Sequence, residues 1–340
     1  MKSFAACALS VAGFLSGQDL ASSMGRPVLG YVAESSPAEL RAILGVPGSA
    51  VFSDPLLLPR GVSRINLAPG QAFALVEVRA EVRIEGRVEG SGGDLSVIPL
   101  RAGATGDATP IPGALRGANL IRFSPTGQSV LLYSSGAGRL QVISGLPGAP
   151  SVTRNVDASS FPVEIEDAAI SDDASTILLT TAGAIHQLTP SDQMRQISST
   201  TGSARVAFLP NSSRAAIADR DAGVVYLWSG ESPMLLATGL IGLGEMRASS
   251  DGLSLWFNHP DSNSVSRIDT KTGQLRATQL QVSPSRLDLL SSRDAFLISA
   301  DPGQPAWVFF QQGSEGLAVF VPAAKPGWMI RSGSKGGSDR

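Results

Sequence analysis

Acidic and amide side chains have the clearest potential for chemistry in this chain. Glu164, Glu166 and Asp167 precede one apolar run, Glu245 precedes another, and Asn258 follows the neighbouring one. A hard cation such as calcium needs several oxygen ligands that converge from different strands. Glu164, Glu166, Glu245 and Asn258 are therefore a candidate calcium set, with the alternative that the acids cap turns and face solvent.

The two histidines do not form a recognisable catalytic constellation. A Ser-His-Asp triad needs a histidine that carries a proton between nucleophile and leaving group. His186 lies within an apolar run, His259 lies in a turn before Pro260, and the chain has no Gly-x-Ser-x-Gly motif. No zinc-type pairing of His or Cys is present either. We expect structural roles for both histidines.

Three polar turns, at residues 219–223, 258–263 and 301–304, are candidates for ligand contact. Loops carry binding residues more often than the scaffold that holds them. The candidate residues in these turns are Asp219, Asp221, His259, Asp261, Asn263 and Asp301. The first turn lacks the spaced ligands and the terminal Glu of a calcium loop.

These residues lie between segments that repeat along the chain, most clearly over residues 247–273. A polar turn followed by an apolar run occurs six times, and the second turn residues are Leu67, Ser124, Ser171, Leu209, Ser249 and Leu290. The steps between them are 57, 47, 38, 40 and 41 residues. A period of about 40 residues is the length of a four-stranded propeller blade. The first step is long because it contains a charged, Gly-rich insertion at residues 79–93.

Each repeat unit predicts strands that are closed by tight turns. Its apolar and β-branched runs are bounded by Gly, Pro, Asp, Asn and Ser. Alternating runs such as Val224–Trp228 are typical of strands with one packed face and one more solvated face. After the N-terminus no stretch has the pattern of an amphipathic helix of normal length. We therefore predict an all-β fold.

The segment 262–273, Ser-Asn-Ser-Val-Ser-Arg-Ile-Asp-Thr-Lys-Thr-Gly, resembles the repeat of the YVTN group of bacterial β-propellers. That repeat has a similar Asn-x-Val, Ile-Asp and Thr-Gly spacing. The Ser-Pro-Thr-Gly and Ser-Ser-Asp-Gly turns are similar to those of WD40-like and TolB-like propellers, although no strand ends in Trp-Asp. The resemblance implies a β-propeller that binds ligands and has no shared catalytic residue. Some propellers similar to the regucalcin group of lactonases hold calcium in the channel, which is the basis of our calcium alternative.

We predict seven blades, with six as the alternative. Six repeat units and a further pair of strands within residues 29–44 leave the count between these numbers. Diverged strands near residues 50–58 could supply the missing members. An N-terminal segment often completes the last blade of a propeller, which leaves no sheet edge unpaired there. We expect the N-terminal strands to close the ring in this way.

The first 23 residues have the composition of a secretory signal. Lys2 is followed by an apolar run at residues 4–15, which is too short to span a bilayer, and then by small residues. A buried N-terminal segment is the alternative. We assign residues 24–324 to one propeller domain and the Gly- and Ser-rich residues 325–340 to a flexible tail. Cys7 is the one cysteine, so the mature chain would have none.

The overall composition excludes several classes of partner. The chain has 340 residues, 43% of them hydrophobic, which is enough for a large core. A net charge of −2 provides no field that would attract nucleic acid or an acidic membrane surface. The basic residues are almost all arginine, which we ascribe to codon usage and not to an arginine-based binding site.

We therefore expect a secreted or periplasmic, monomeric β-propeller that acts as a non-catalytic scaffold. Its partner would be a protein or a small extracellular ligand, with no cofactor. The alternative is a calcium-dependent hydrolase or lactonase with its site in the central channel. A third possibility is a component of a cell-surface assembly.

Overall fold

The repeated polar turns close the first hairpins of antiparallel sheets that stand around a common axis. The computed structural model describes residues 27–35, 37–79, 83–84, 87–88, 93–159, 161, 164–291, 295–300, 304–312 and 315–323. These residues form seven blades in a ring. The prediction of an all-β, seven-bladed propeller is confirmed. The predicted signal at 1–23 and the predicted tail at 325–340 lie outside the described residues.

The first three blades contain the N-terminal half of the strands. Blade 1 consists of β1 to β3, at Val28–Ser35, Ala38–Leu44 and Val51–Phe52. Blade 2 consists of β4, β5, β8 and β10, at Val62–Leu67, Phe73–Val78, Asp94–Arg101 and Thr109–Pro110, with β9 (Ala104–Thr105) also paired to β8. A separate small hairpin is formed by β6 (Arg83–Ile84) and β7 (Arg87–Val88). Blade 3 consists of β11 to β14, at Leu120–Phe123, Ser129–Ser134, Arg139–Ser144 and Ser151–Asp157.

The remaining four blades each have four strands in sequential order. Blade 4 consists of β15 to β18, at Asp167–Ile170, Ile177–Thr181, Ala184–Leu188 and Met194–Ser199. Blade 5 consists of β19 to β22, at Ala204–Phe208, Ala215–Asp219, Val224–Trp228 and Met234–Ala237. Blade 6 consists of β23 to β26, at Met246–Ala248, Ser254–His259, Ser264–Asp269 and Leu275–Gln279. Blade 7 consists of β27 to β30, at Asp288–Leu289, Ala295–Ser299, Ala306–Gln312 and Glu315–Val321.

Helical structure in the described residues is limited to single 3₁₀ turns at Pro69–Gln71 and Pro260–Ser262. Within the same residues, none of the helices has the length and apolar character needed to cross a membrane.

The first hairpins of blades 2 to 7 share one register. The last residue of the first strand pairs with the residue seven positions later, as in Phe123 with Val130 and Ile170 with Ile177. The turn residues explain this regularity. In blade 3 the Ser124 hydroxyl accepts a hydrogen bond from the Ser129 N–H, and Gly127 has a φ of 77°, which favours glycine.

The second strand of a blade is buried on both faces because neighbouring blades cover it. All residues of β12, β16, β20 and β24 are buried, whereas the outer strands β14 and β26 are largely exposed. The apolar layer between blades 3 and 4 includes Leu131 and Leu140 from one side and Ile170 and Leu179 from the other. Burial of each such side chain contributes roughly 1.5–3 kcal/mol, so interblade packing stabilises the ring.

The ring closes where the N-terminal blade meets the last one. Leu29 and Val32 of blade 1 share an apolar cluster with Leu297 and Val308 of blade 7, and the Ser291 hydroxyl donates to the Leu29 carbonyl at 2.6 Å. The N-terminal strands thus close the ring, but in the described residues they form a sheet of their own and do not join the sheet of blade 7. Residues 51–52 supply the third strand of blade 1 by pairing with Ile43 and Leu44 of β2.

Candidate functional site

Charged side chains occupy two equivalent positions on the innermost strands or, for Glu245 and Arg286, just before them. The first strand of each blade is innermost, and contacts between first strands of successive blades include β1 with β4, β11 with β15, β15 with β19, and β19 with β23. The positions one and three residues before the last residue of this strand lie on the same face of it. Eight charged residues at these positions form what we call the charged band: Arg64, Arg122, Asp167, Arg205, Glu245, Arg247, Arg286 and Asp288.

Blades 3 to 5 are linked by one carboxylate between two guanidinium groups. Arg122 Nε donates to Asp167 Oδ1 at 2.8 Å, and an Arg205 Nη lies 3.7 Å from Asp167 Oδ2. The Asp167 side chain is 4% exposed, whereas those of Arg122 and Arg205 are 42% and 35% exposed. The carboxylate is therefore the buried anchor, and the two guanidinium groups retain N–H donors toward solvent.

Blades 6 and 7 carry a balanced network of two acids and two arginines. Arg247 donates to Glu245 Oε2 at 3.2 Å and lies 3.7 Å from Asp288 Oδ1. Arg286 Nε donates to Asp288 Oδ2 at 2.5 Å. Glu245 also accepts the Leu287 N–H at 3.2 Å. This network places an accessible carboxylate and an accessible guanidinium side by side.

Arginines make up most of the charged band. Five of them occupy the charged band, and Arg64 there donates to the Ala118 carbonyl at 2.5 Å, which links blade 2 to blade 3. Asp167 and Glu245 were sequence candidates, but the arginines were not. The sequence does contain a pattern that could have identified these arginines, because each one lies one or three residues before the end of the first strand of a repeat unit.

The four proposed calcium ligands do not form one metal site. Glu164 and Glu166 are exposed residues before β15 in blade 4, whereas Glu245 and Asn258 belong to blade 6. Asn258 is buried, its Oδ1 accepts the Glu245 N–H, and its Nδ2 donates to the Pro284 carbonyl. No group of three or more His, Cys, Asp or Glu in the described residues could hold a metal ion. The three glutamates among the four candidates therefore do not meet at one point.

Asp219 and Asp221, two of the loop candidates, form hydrogen bonds within blade 5, mainly to the segment that precedes β19. Asp219 accepts hydrogen bonds from the N–H and hydroxyl of Thr201 and from the Ala222 N–H. Burial alone would raise the pKa of Asp219, but these hydrogen bonds together hold it below its ordinary value. Asp221 accepts the Ser203 N–H at 3.2 Å.

The remaining loop candidates lie mainly in the turn after β24. His259 is buried, with Nδ1 2.8 Å from the Ile241 carbonyl oxygen and Nε2 2.7 Å from the Ser266 hydroxyl. Asp261 lies in the exposed 3₁₀ turn, and Asn263 ends that turn with a φ of 49°. The sequence places His259 in a turn, but it is the last residue of β24, and its role in binding stays a prediction. Asp301 lies outside the described residues.

Comparisons with known proteins identify structural neighbours only. No protein-family model and no curated protein sequence matches the chain. A periplasmic gluconolactonase from Pseudomonas aeruginosa has a TM-score of 0.55 at 15% identity, covering 87% of this chain and 97% of that one. A putative 6-phosphogluconolactonase from Bacteroides fragilis has a TM-score of 0.57 at 12% identity, covering 88% and 95%. A protein of unknown function from Desulfotomaculum acetoxidans has a TM-score of 0.52 at 13% identity, covering 87% and 99%.

These neighbours correct the expected function. We expected a non-catalytic binding scaffold, but structural neighbours of nearly full coverage are named as lactonases. Their names agree with the lactonase alternative and not with the non-catalytic scaffold. At such low identity, the likeness itself establishes the propeller fold.

Proposed function

We propose that this chain hydrolyses the lactone of a sugar acid at its charged band. The observation that carries the proposal is the hydrogen bond of Arg247, on the innermost strand of blade 6, to Glu245, the residue just before that strand. Hydrolysis of a lactone needs a base that activates water and a cation that stabilises the oxyanion. The names of the structural neighbours support the substrate class.

Glu245 is the best placed base in the charged band. Its side chain is 40% exposed, compared with 29% for Asp288 and 4% for Asp167. A carboxylate must reach both solvent and substrate to take a proton from water. Asp167 is too deeply enclosed between its two arginines, and the less exposed Asp288 pairs with two arginines, Arg247 and Arg286, whereas Glu245 pairs with one.

The proposed reaction requires only groups of this chain and one water molecule. Glu245 takes a proton from water as the water oxygen adds to the lactone carbonyl carbon. The Arg247 guanidinium binds the resulting oxyanion. Collapse of the tetrahedral intermediate breaks the ring C–O bond, and the proton on Glu245 passes to the departing alkoxide, which gives the open hydroxy acid.

The excess of arginine in blades 2 to 5 supports an acidic substrate. The charged band has three arginines and one carboxylate there, and guanidinium groups would bind a phosphate or a second carboxylate on the lactone. We propose that Arg122 and Arg205 position the substrate, while the blade 6 pair performs the chemistry.

The proposal can be tested by mixing purified protein with a panel of sugar lactones and measuring the protons that hydrolysis releases. The panel contains five- and six-membered lactones, with and without a phosphate group. We expect hydrolysis above the spontaneous rate and a decrease in kcat of about 100-fold or more for Glu245→Gln. Glu231→Gln, at an exposed acid outside the charged band, is the matched control. The absence of hydrolysis for the whole panel, or full activity of Glu245→Gln, would refute the proposal.

We also propose that the protein works in the periplasm or outside the cell. The signal-like residues 1–23 and the periplasmic neighbour support this location. Membership of the YVTN group stays a prediction from the repeat at residues 262–273.

A further inference from the structure

An open cleft lies between blades 3 and 4, separate from the charged band. Its volume is about 580 Å³, and its lining includes Tyr133, Ser135, Ser159, Phe161 and Glu164. Tyr133 belongs to β12, and Ser135 belongs to the hairpin that follows it. The other three residues lie on the connection from β14 to β15. The cleft thus combines two aromatic rings, two serine hydroxyls and one carboxylate.

The serine protons of the cleft are already used by neighbouring acceptors. The Ser135 hydroxyl donates to Asn119 Oδ1 at 3.3 Å, and the Ser159 hydroxyl donates to Asp157 Oδ1 at 2.5 Å. Each serine oxygen therefore presents only lone pairs to a ligand. As a result, the serine side chains of the cleft act as hydrogen-bond acceptors toward a ligand.

Glu164 adds a negative charge that is not balanced locally. The residue is exposed, and in the described part of the chain it forms no ion pair. Burial raises the pKa of the Tyr133 phenol, and the charge of Glu164 raises it further. Tyr133 is therefore neutral, and its hydroxyl has no hydrogen-bond partner among the described residues.

The other charges near the cleft do not cancel that of Glu164. Asp157 and Glu166 are further acids close to it in sequence, and Arg139 acts electrostatically on Asp157. Among the described residues, Glu164 is the one charged residue in the cleft lining, so the lining keeps a net negative charge beside Tyr133 and Phe161.

We infer that this cleft binds the primary ammonium group of a small molecule. An ammonium group has three N–H donors and no acceptor, which matches lone pairs from Ser135, Ser159 and Glu164. The Glu164 carboxylate supplies the opposite charge, and aromatic faces attract cations. A neutral polyol fits less well, because it needs donors as well as acceptors and the Tyr133 hydroxyl is the main donor available. This site is independent of the proposed lactone hydrolysis.

Backbone amide NMR of the full chain can test this inference. The ligands are propylammonium, tetramethylammonium and 1-propanol, each titrated at constant ionic strength while the amides of Gly136, Ala137 and Glu164 are followed. We expect saturable shifts with propylammonium, at an affinity at least tenfold higher than for the other two. Tetramethylammonium tests the N–H donors, and propanol tests the charge. A short peptide with one lysine, in a further titration, distinguishes a free amine from a protein side chain: binding weaker than propylammonium supports the free amine, and equal or tighter binding overturns it.

Two variants separate this site from a general charge effect. Glu164→Gln removes the charge of an exposed residue, so the fold is retained, and we expect at least a tenfold loss of propylammonium affinity. Glu166→Gln removes an adjacent exposed charge outside the cleft lining and should retain it. Equal losses in both variants, equal binding of propanol or tetramethylammonium, or no saturable binding would overturn the inference.

Discussion

Asp167 lies between Arg122 of the preceding blade and Arg205 of the following one, and its Oδ1 accepts a hydrogen bond from Arg122 Nε at 2.8 Å. The carboxylate is almost fully buried, whereas both arginines reach solvent. One side chain therefore joins three blades and sets the direction of two guanidinium groups in the charged band.

Removal of the Asp167 charge should destabilise the ring. Asp167→Asn keeps the side-chain shape but leaves two guanidinium groups without their anion. The loss of one partner of a buried pair costs about 3–5 kcal/mol, and the exposure of the arginines reduces our expectation to about 1–3 kcal/mol. Urea unfolding measures this change. Asp94→Asn, in an exposed pair with Arg116, should cost no more than about 0.5 kcal/mol, and equal costs for both variants would contradict the expectation.

A second contact across blades connects the first-hairpin turns of blades 3, 4 and 5. Asp172 Oδ1 accepts the Thr126 N–H and hydroxyl at 2.7 and 2.6 Å, and Oδ2 accepts the Asn211 N–H at 2.8 Å. Asp172→Ala should therefore accelerate amide hydrogen exchange at Thr126 and Asn211, because both N–H groups lose a charged acceptor.

Asp251→Ala is the matched control for that experiment. Asp251 bonds only within its own turn in the described residues, to the Ser249 hydroxyl and the Leu253 N–H. Faster exchange should then be confined to the turn of blade 6. The role of Asp172 would be refuted if Thr126 and Asn211 exchanged at the wild-type rate in Asp172→Ala.

The backbone at Gly223 should not accept a side chain. This residue has a φ of 63°, and an added Cβ would collide with the Leu240 carbonyl oxygen. Gly223→Ala should therefore lower the free energy of unfolding by the sum of two costs, a conformational cost of about 1–2 kcal/mol and a steric cost of about 1–3 kcal/mol. Thermal unfolding should show a large decrease in Tm. Gly136→Ala, where a Cβ meets open space, should leave Tm nearly unchanged; similar Tm values for the two variants would contradict this account.

Stability should fall in acid because hydrogen-bonded aspartates in turns must take up protons. Hydrogen bonds from the Ser171 hydroxyl and the Ser175 N–H lower the pKa of Asp173, and those described above lower the pKa of Asp219. The unfolded pKa of Asp is about 3.9. An aspartate whose pKa is lower in the folded state stabilises the fold at pH values above about 3.9, and this contribution is lost as pH falls through the folded pKa.

We therefore expect these groups to leave stability unchanged between pH 7 and about pH 5 and to reduce it below about pH 4. Urea unfolding at pH 7, 5 and 3 measures the effect. Asp219→Asn should lower stability at pH 7 and show a smaller further decrease at pH 3 than the wild type. An identical pH dependence in variant and wild type would exclude a contribution from Asp219.

The sequence by itself determined the blade and its turns. A turn serine such as Ser124 bonds an N–H five residues later, and a glycine such as Gly127 adopts a positive φ. These interactions are local, so their spacing is readable along the chain, and the six units with one hairpin register follow from it. The buried second strands are also visible as apolar runs, because neighbouring blades cover both of their faces.

Only the tertiary structure decided which charged residues become neighbours. Arg122 and Asp167 are 45 positions apart and belong to separate blades, and no local pattern relates them until the ring brings their innermost strands together. The sequence also could not show that Glu164 and Asn258, which we considered as ligands of one metal ion, belong to blades 4 and 6. The three-stranded N-terminal blade is a further example, because ring closure depends on packing between Leu29 and Leu297 and not on a strand-pairing signal in the sequence.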